Sequence, residues 1–158
     1  MVYKNPNQKA LVEWVRKEQL DVLFIFTGFI IKRPLINAVK GCILNKHAGL
    51  LPAYKGVFPV FWAMKNDDPI GVTIHKVNER IDEGEIILQK VYPQRTNSTV
   101  YDYYMKIYRE TPDLIMESLE LLDSDKRKPY PHNLKDSYYS LPERADFKAF
   151  TRKGYRFV

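Results

Sequence analysis

The sequence predicts an α/β fold: a mixed sheet with parallel strands, a terminal antiparallel hairpin, and flanking helices. Three observations carry this. Helix-type and strand-type patterns alternate through residues 5–44, the order that builds parallel pairing. Residues 22–26 (VLFIF) are apolar throughout, as a strand buried on both faces must be. Residues 71–77 and 85–91 read as strands joined by a connection too short for a crossover, so they should pair as a hairpin.

The elements follow in order. Asn5 is a candidate cap, with Pro6 at the first helical position and Gln8 three residues after the cap. Leu11, Trp14 and Val15 recur at helical spacing, and Glu18-Gln19 closes the helix. Thr27-Gly28 ends the first strand. Residues 32–39 read as a short helix with Pro34 in its first turn, and Cys42-Ile43-Leu44 opens a second strand. Residues 50–57, with Pro52 and Gly56, are a loop; residues 58–65 form a short aromatic helix. Residues 98–122 carry a long helical pattern in which Pro112 predicts a kink or a division, with Thr111 capping the second part. Residues 123–137 read as a linker and 141–154 as a last short helix.

A chain of 158 residues suits one domain, and its 45% hydrophobic and 28% charged residues argue against disorder. A single cysteine, Cys42, excludes an internal disulfide framework and a multi-cysteine metal site, and makes the cytoplasm the default compartment. The longest apolar run, residues 22–31, is interrupted by Thr27 and Gly28 and falls short of the about 20 residues of a spanning helix, so no membrane partner is expected. The net charge of +6 is concentrated in residues 125–158, where nine basic residues face four acidic ones. We therefore divide the chain into a body, 1–124, and a basic, aromatic tail, 125–158. Such a tail can touch a nucleotide or an RNA backbone; the favoured reading is a tail whose aromatics pack back on the body.

Two segments carry chemistry. Asn45 and His47 are two apart at the end of the second strand, so they share a face. An amide donor beside an imidazole can stabilise an oxyanion and relay a proton, although Asn-x-His alone reads as a structural histidine. Asp82 lies in the loop before Gly84. Its carboxylate can reach His47, although alone it reads as a turn residue bonding local amides.

Taken together, Asn45-Lys46-His47, the loop Leu50-Leu51-Pro52-Ala53-Tyr54-Lys55-Gly56, the strand Gly71-Val72-Thr73 and the loop Ile81-Asp82-Glu83-Gly84-Glu85-Ile86 resemble the folate-dependent formyltransferase family. Its members include methionyl-tRNA, glycinamide ribonucleotide and amino-sugar formyltransferases. The resemblance implies a partial Rossmann-like formyltransferase fold. Residues 1–124 would be the C-terminal two thirds of the family's catalytic domain. It also implies transfer of a formyl group from N10-formyltetrahydrofolate to a primary amine. Asn45, His47 and Asp82 fall on the catalytic trio. Asn45 would donate to the developing oxyanion, which is worth about 3–4 kcal/mol of barrier. His47, protonated beside Asp82, would support the same oxyanion, and Asp82 would take the amine proton. No metal is implied. Folate would sit between Phe29, Ile30 and Ile31 on one loop and Asn78, Arg80 and Ile81 on the other.

Two departures matter. Lys46 stands where relatives carry an apolar residue and points away from Asn45 and His47, a conflict that an exposed sheet face would relieve. The family's opening strand–helix units are also missing from this chain, which leaves the strand at 21–26 with an open edge. A homodimer or partner chain is expected to cover it. The roughly 35 residues after the long helix are too few for the extra barrel of the tRNA enzymes. This counts against tRNA and puts a small-molecule amine, first an amino-sugar nucleotide, ahead of it. The competing readings are a folate-binding remnant or scaffold without turnover, and a formyltetrahydrofolate hydrolase.

Overall fold

In a computed structural model, residues 4–94, 97–122, 124 and 132–158 are described. The elements are α1 (Lys9–Glu18), β1 (Val22–Ile25), α2 (Arg33–Ile36), β2 (Cys42–His47), β3 (Lys55–Gly56), α3 (Pro59–Lys65), β4 (Ile70–Lys76), β5 (Ile86–Tyr92), α4 (Val100–Leu122), β6 (Tyr138–Tyr139) and α5 (Arg144–Arg152). The main sheet has the order β1-β2-β4-β5. β1 and β2 are parallel, whereas β4 runs antiparallel to both β2 and β5. The mixed sheet and its terminal hairpin match the expectation, with β1 and β2 the parallel pair within this sheet. Among the described residues no helix is long and apolar enough to cross a membrane.

Alternation along β2 separates two cores. Ile43 packs with Val12, Val15, Ile31 and Leu35 beneath α1 and α2. Leu44, its neighbour, packs on the other face with Phe61, Ile74, Leu88 and Ile107 beneath α3 and α4. The same alternation sends Asn45 and His47 to one face and Lys46 to the other.

Four local expectations are corrected. α1 starts at Lys9, because the Asn5 side chain accepts the Asn7 amide (2.8 Å) and the Asn5 carbonyl accepts the Gln8 amide (3.2 Å), closing a turn ahead of the helix. Pro112 does not divide α4, which is one helix. Ile107 and Leu114, on either side of it, are buried in the same core and hold both halves down. Thr111 caps nothing: its hydroxyl donates back to the Ile107 carbonyl at 2.8 Å. The loop at 50–57 contains β3, which pairs in parallel with β6 of the tail. A two-residue strand carries no periodicity in sequence, so this pairing had no signal.

Of the described tail aromatics, Tyr139, Phe150, Tyr155 and Phe157 pack on the body, whereas Tyr138 is exposed. The Phe150 ring, 1% exposed, stacks on Phe61 with centroids 4.6 Å apart. Tyr139 stacks on Trp62 at 4.7 Å, and the Trp62 indole donates to the Ser140 carbonyl at 3.1 Å. Residues 125–131 of the expected linker, including Lys126, Arg127, Lys128 and Tyr130, lie outside the described residues.

Candidate functional site

The chemistry-bearing side chains meet where β2, β4 and two loops converge. Asn45 and His47 lie opposite His75 and Thr73 on β4. The loop after β4 turns sharply: Asp82 has φ 52°, a conformation that Asp tolerates better than most residues. Gly84 lies so close to β4 that a Cβ would stand 1.6 Å from the Lys76 carbonyl oxygen. Asn78 braces the loop from within, accepting the Arg80 amide at 2.8 Å and donating to the Glu83 carbonyl at 3.1 Å.

This turn carries the Asp82 carboxylate back over the strand ends. Oδ2 lies 3.4 Å from His47 Nδ1 and accepts the Gly56 amide at 2.9 Å; Oδ1 lies 3.6 Å from His75 Nε2. Gly56 has φ 96°, and a Cβ there would stand 2.2 Å from the Tyr139 carbonyl oxygen, so only glycine fits.

His47 is buried, and its Nε2 lies 2.7 Å from the Tyr54 carbonyl. A carbonyl only accepts, so Nε2 carries the proton and Nδ1 faces Asp82. Burial pulls the His47 pKa below the ordinary imidazole range, with the Asp82 carboxylate and the Tyr54 carbonyl acting against it. The lowered pKa favours the neutral imidazole at rest over the protonated form that the resemblance implies. His75 is lowered by burial too. Its Nδ1–H donates to the Lys76 carbonyl (2.9 Å), leaving Nε2 to accept from the Asn45 amide at 3.2 Å. That bond fixes which way the Asn45 amide points and leaves its second N–H for an oxygen in the cavity.

Two buried neutral histidines set a stability trend. Their folded pKa values lie below the unfolded value near 6.5, so the unfolded chain gains protons first as pH falls. Their contribution is complete above about pH 6.5 and is lost as pH drops through the folded values. The urea midpoint is expected to be lower at pH 5.5 than at pH 7.5. A flat profile contradicts neutral burial.

All the site residues read from the sequence border one cavity of about 880 Å³. Phe29 and Ile30 expose their side chains there, while Ile31 is buried in the α1–α2 core and only edges it. Across the cavity stand Asn78, Arg80 and Ile81, with the Arg80 guanidinium turned to Glu83 at 3.4 Å. His75 and the backbone groups of Tyr54 and Gly56 complete the site; no side-chain pattern in the sequence marks those two backbone groups. Lys46 is not relieved by an exposed face; it is 4% exposed. Its ammonium lies over the rings of Phe26 (4.2 Å) and Tyr108 (3.9 Å) and donates to the Thr111 hydroxyl at 3.1 Å. Burial lowers its pKa to about 8.

A model of the formyl transferase family matches residues 3–119. Methionyl-tRNA formyltransferase of Agathobacter rectalis is 28% identical over 139 residues, 84% of this chain and 44% of the relative. A sugar N-formyltransferase from Shewanella sp. FDAARGOS_354 superposes with a TM-score of 0.70 at 28% identity, covering 92% of this chain and 57% of that one. WlaRD, a sugar 3N-formyl transferase solved with dTDP and 5-N-formyl-THF, superposes with a TM-score of 0.59 at 30% identity, covering 79% of this chain and 44% of that one. This chain spans less than half the length of the curated relatives it matches.

Proposed function

Since the chain belongs to the formyl transferase family, we propose that it transfers a formyl group from N10-formyltetrahydrofolate to a primary amine, with an amino-sugar nucleotide as the first acceptor to test. The observation that carries this is the Asp82 carboxylate 3.4 Å from His47 Nδ1, with Asn45 on the same strand face and in the wall of the same cavity. The cavity suits a donor with flat ring systems and polar edges. Phe29, Ile30 and Ile81 give it apolar walls, its volume is in the usual range for such ligands, and its polar groups converge at one end.

When bound, the donor supplies an activated formyl carbon. The chain's residues then divide the work. The free N–H of Asn45 meets the formyl oxygen as it gains charge. Asp82 takes the proton released by the attacking amine, and the neutral Nδ1 of His47 shares it. The imidazolium formed this way supports the oxyanion only when the charge appears, so it favours the transition state over the ground state. The same proton is then available to the departing nitrogen of the donor.

Among the described residues β1 pairs with β2 on one side only, and a further strand, from a second copy or a partner chain, is the proposed cover for its other edge.

The test is tetrahydrofolate release from the formyl donor with and without an amino-sugar nucleotide, a ribonucleotide amine and methionyl-tRNA. Release that requires an amine, with the formamide seen by mass, is expected. Equal release without amine would replace the reading with a hydrolase. Calorimetric binding of the donor without consumption would replace it with a folate-binding remnant.

A further inference from the structure

The two catalytic side chains that move protons are both anchored to one three-residue segment. His47 Nε2–H donates to the Tyr54 carbonyl, and Asp82 accepts the Gly56 amide. Lys55 lies between them. That segment is in turn held by the tail. The Tyr54 amide donates to the Ser137 hydroxyl at 3.0 Å, the Lys55 amide to the Ser137 carbonyl at 2.9 Å, and the Val57 amide to the Tyr139 carbonyl at 2.9 Å. The Lys55 ammonium, on a side chain only 8% exposed, pairs with Asp136 at 2.8 Å and with Glu83, the neighbour of Asp82, at 3.0 Å.

We infer that Asp136 and Lys55 are positioning residues for the catalytic trio, and that residues 136–139 belong to the active site rather than to an appendage. The inference rests on the formyl-transfer reading. An exposed ion pair is ordinarily worth little. Here the ammonium is covered while Asp136 and Glu83 reach solvent, so removing Asp136 leaves a largely covered charge with a single carboxylate partner. Lys55 also ties the Asp82 loop and the tail to the same strand. Slack at this point shifts Asp82 relative to His47, and a misplacement near 1 Å costs about 10²-fold in rate.

The test compares Lys55→Met and Asp136→Ala with the conservative Lys55→Arg and Asp136→Glu. In Lys55→Met and Asp136→Ala, kcat is expected to fall about 10–100-fold while KM for the formyl donor changes little. The conservative variants should keep most of the rate. Hydrogen exchange gives a readout independent of turnover. The Gly56 amide should exchange at least about tenfold faster in Lys55→Met and Asp136→Ala, with the amides of β4 and β5 unchanged. Unchanged kcat and unchanged Gly56 exchange overturn the inference. Equal losses in the conservative variants overturn it too, by showing a general packing role. If the unaltered protein turns over no amine, the formyl-transfer reading fails, and Gly56 exchange alone decides whether the clamp exists.

Discussion

Asp82→Asn is expected to lower kcat by about 10²–10⁴-fold, the usual contribution of a positioned base, with the fold intact. The amide is isosteric and keeps an oxygen for the Gly56 N–H, which lies 2.9 Å from Oδ2. The loop conformation also survives, because Asn tolerates the φ of 52° at this position as Asp does. What is lost is charge. The amine proton loses its first acceptor, and His47 Nδ1 loses the carboxylate that offsets part of the cost of protonating a buried imidazole. His47→Ala is expected to lose a similar factor by the other route, leaving Asp82 without its imidazole partner and the Tyr54 carbonyl without its donor. Combining the two should cost little more than either, because the groups act as a unit. The measurement is kcat for amine-dependent tetrahydrofolate release, with thermal unfolding of each variant alongside. Unaltered rates in either single variant would remove Asp82 and His47 from the chemistry.

How much of this was legible beforehand follows from range. The β1–β2 order and the hairpin are written in local apolar runs, and the short connection at 78–84 forces the antiparallel return. Asn45, His47 and Asp82 were readable because motifs keep side-chain identities in order along the chain. His75 was harder: its role as acceptor for Asn45 comes from cross-strand register, which sequence spacing does not specify. The Gly56 amide and Tyr54 carbonyl are backbone groups aimed by a pairing with residues 138–139, distant in sequence and only two residues long. Lys46 looks like a conflict in the sequence because its partners are equally distant. Phe26, Tyr108 and Thr111 come from β1's end and α4, and together they supply the ring faces and hydroxyl that a buried ammonium needs.

The same long-range logic makes Phe150→Ala a severe substitution for a residue in a basic tail. Its ring stacks on Phe61 at 4.6 Å and tilts against Tyr155 at 5.4 Å, and Phe61 in turn touches Trp62, Phe147 and Phe157. Truncation would open a void among rings that come from α3 and the C-terminal segment. Such a void cannot close by a small rotamer change, because aromatics fill both sides of it. The expected loss is about 3–5 kcal/mol of unfolding free energy. Phe147→Ala, on a more exposed neighbour in α5, should cost clearly less. Urea denaturation of the two variants measures the difference, and a loss below about 1 kcal/mol for Phe150→Ala would make the tail a dispensable cover. The expected large loss carries a consequence for the site. Besides their polar contacts, β6 and α5 share this aromatic cluster, through Tyr139 on Trp62 and Phe150 on Phe61. β6 in turn holds β3, whose Gly56 amide fixes Asp82. Activity in Phe150→Ala should therefore fall at urea concentrations below those that unfold β4 and β5, because the segment that aims the carboxylate is released first.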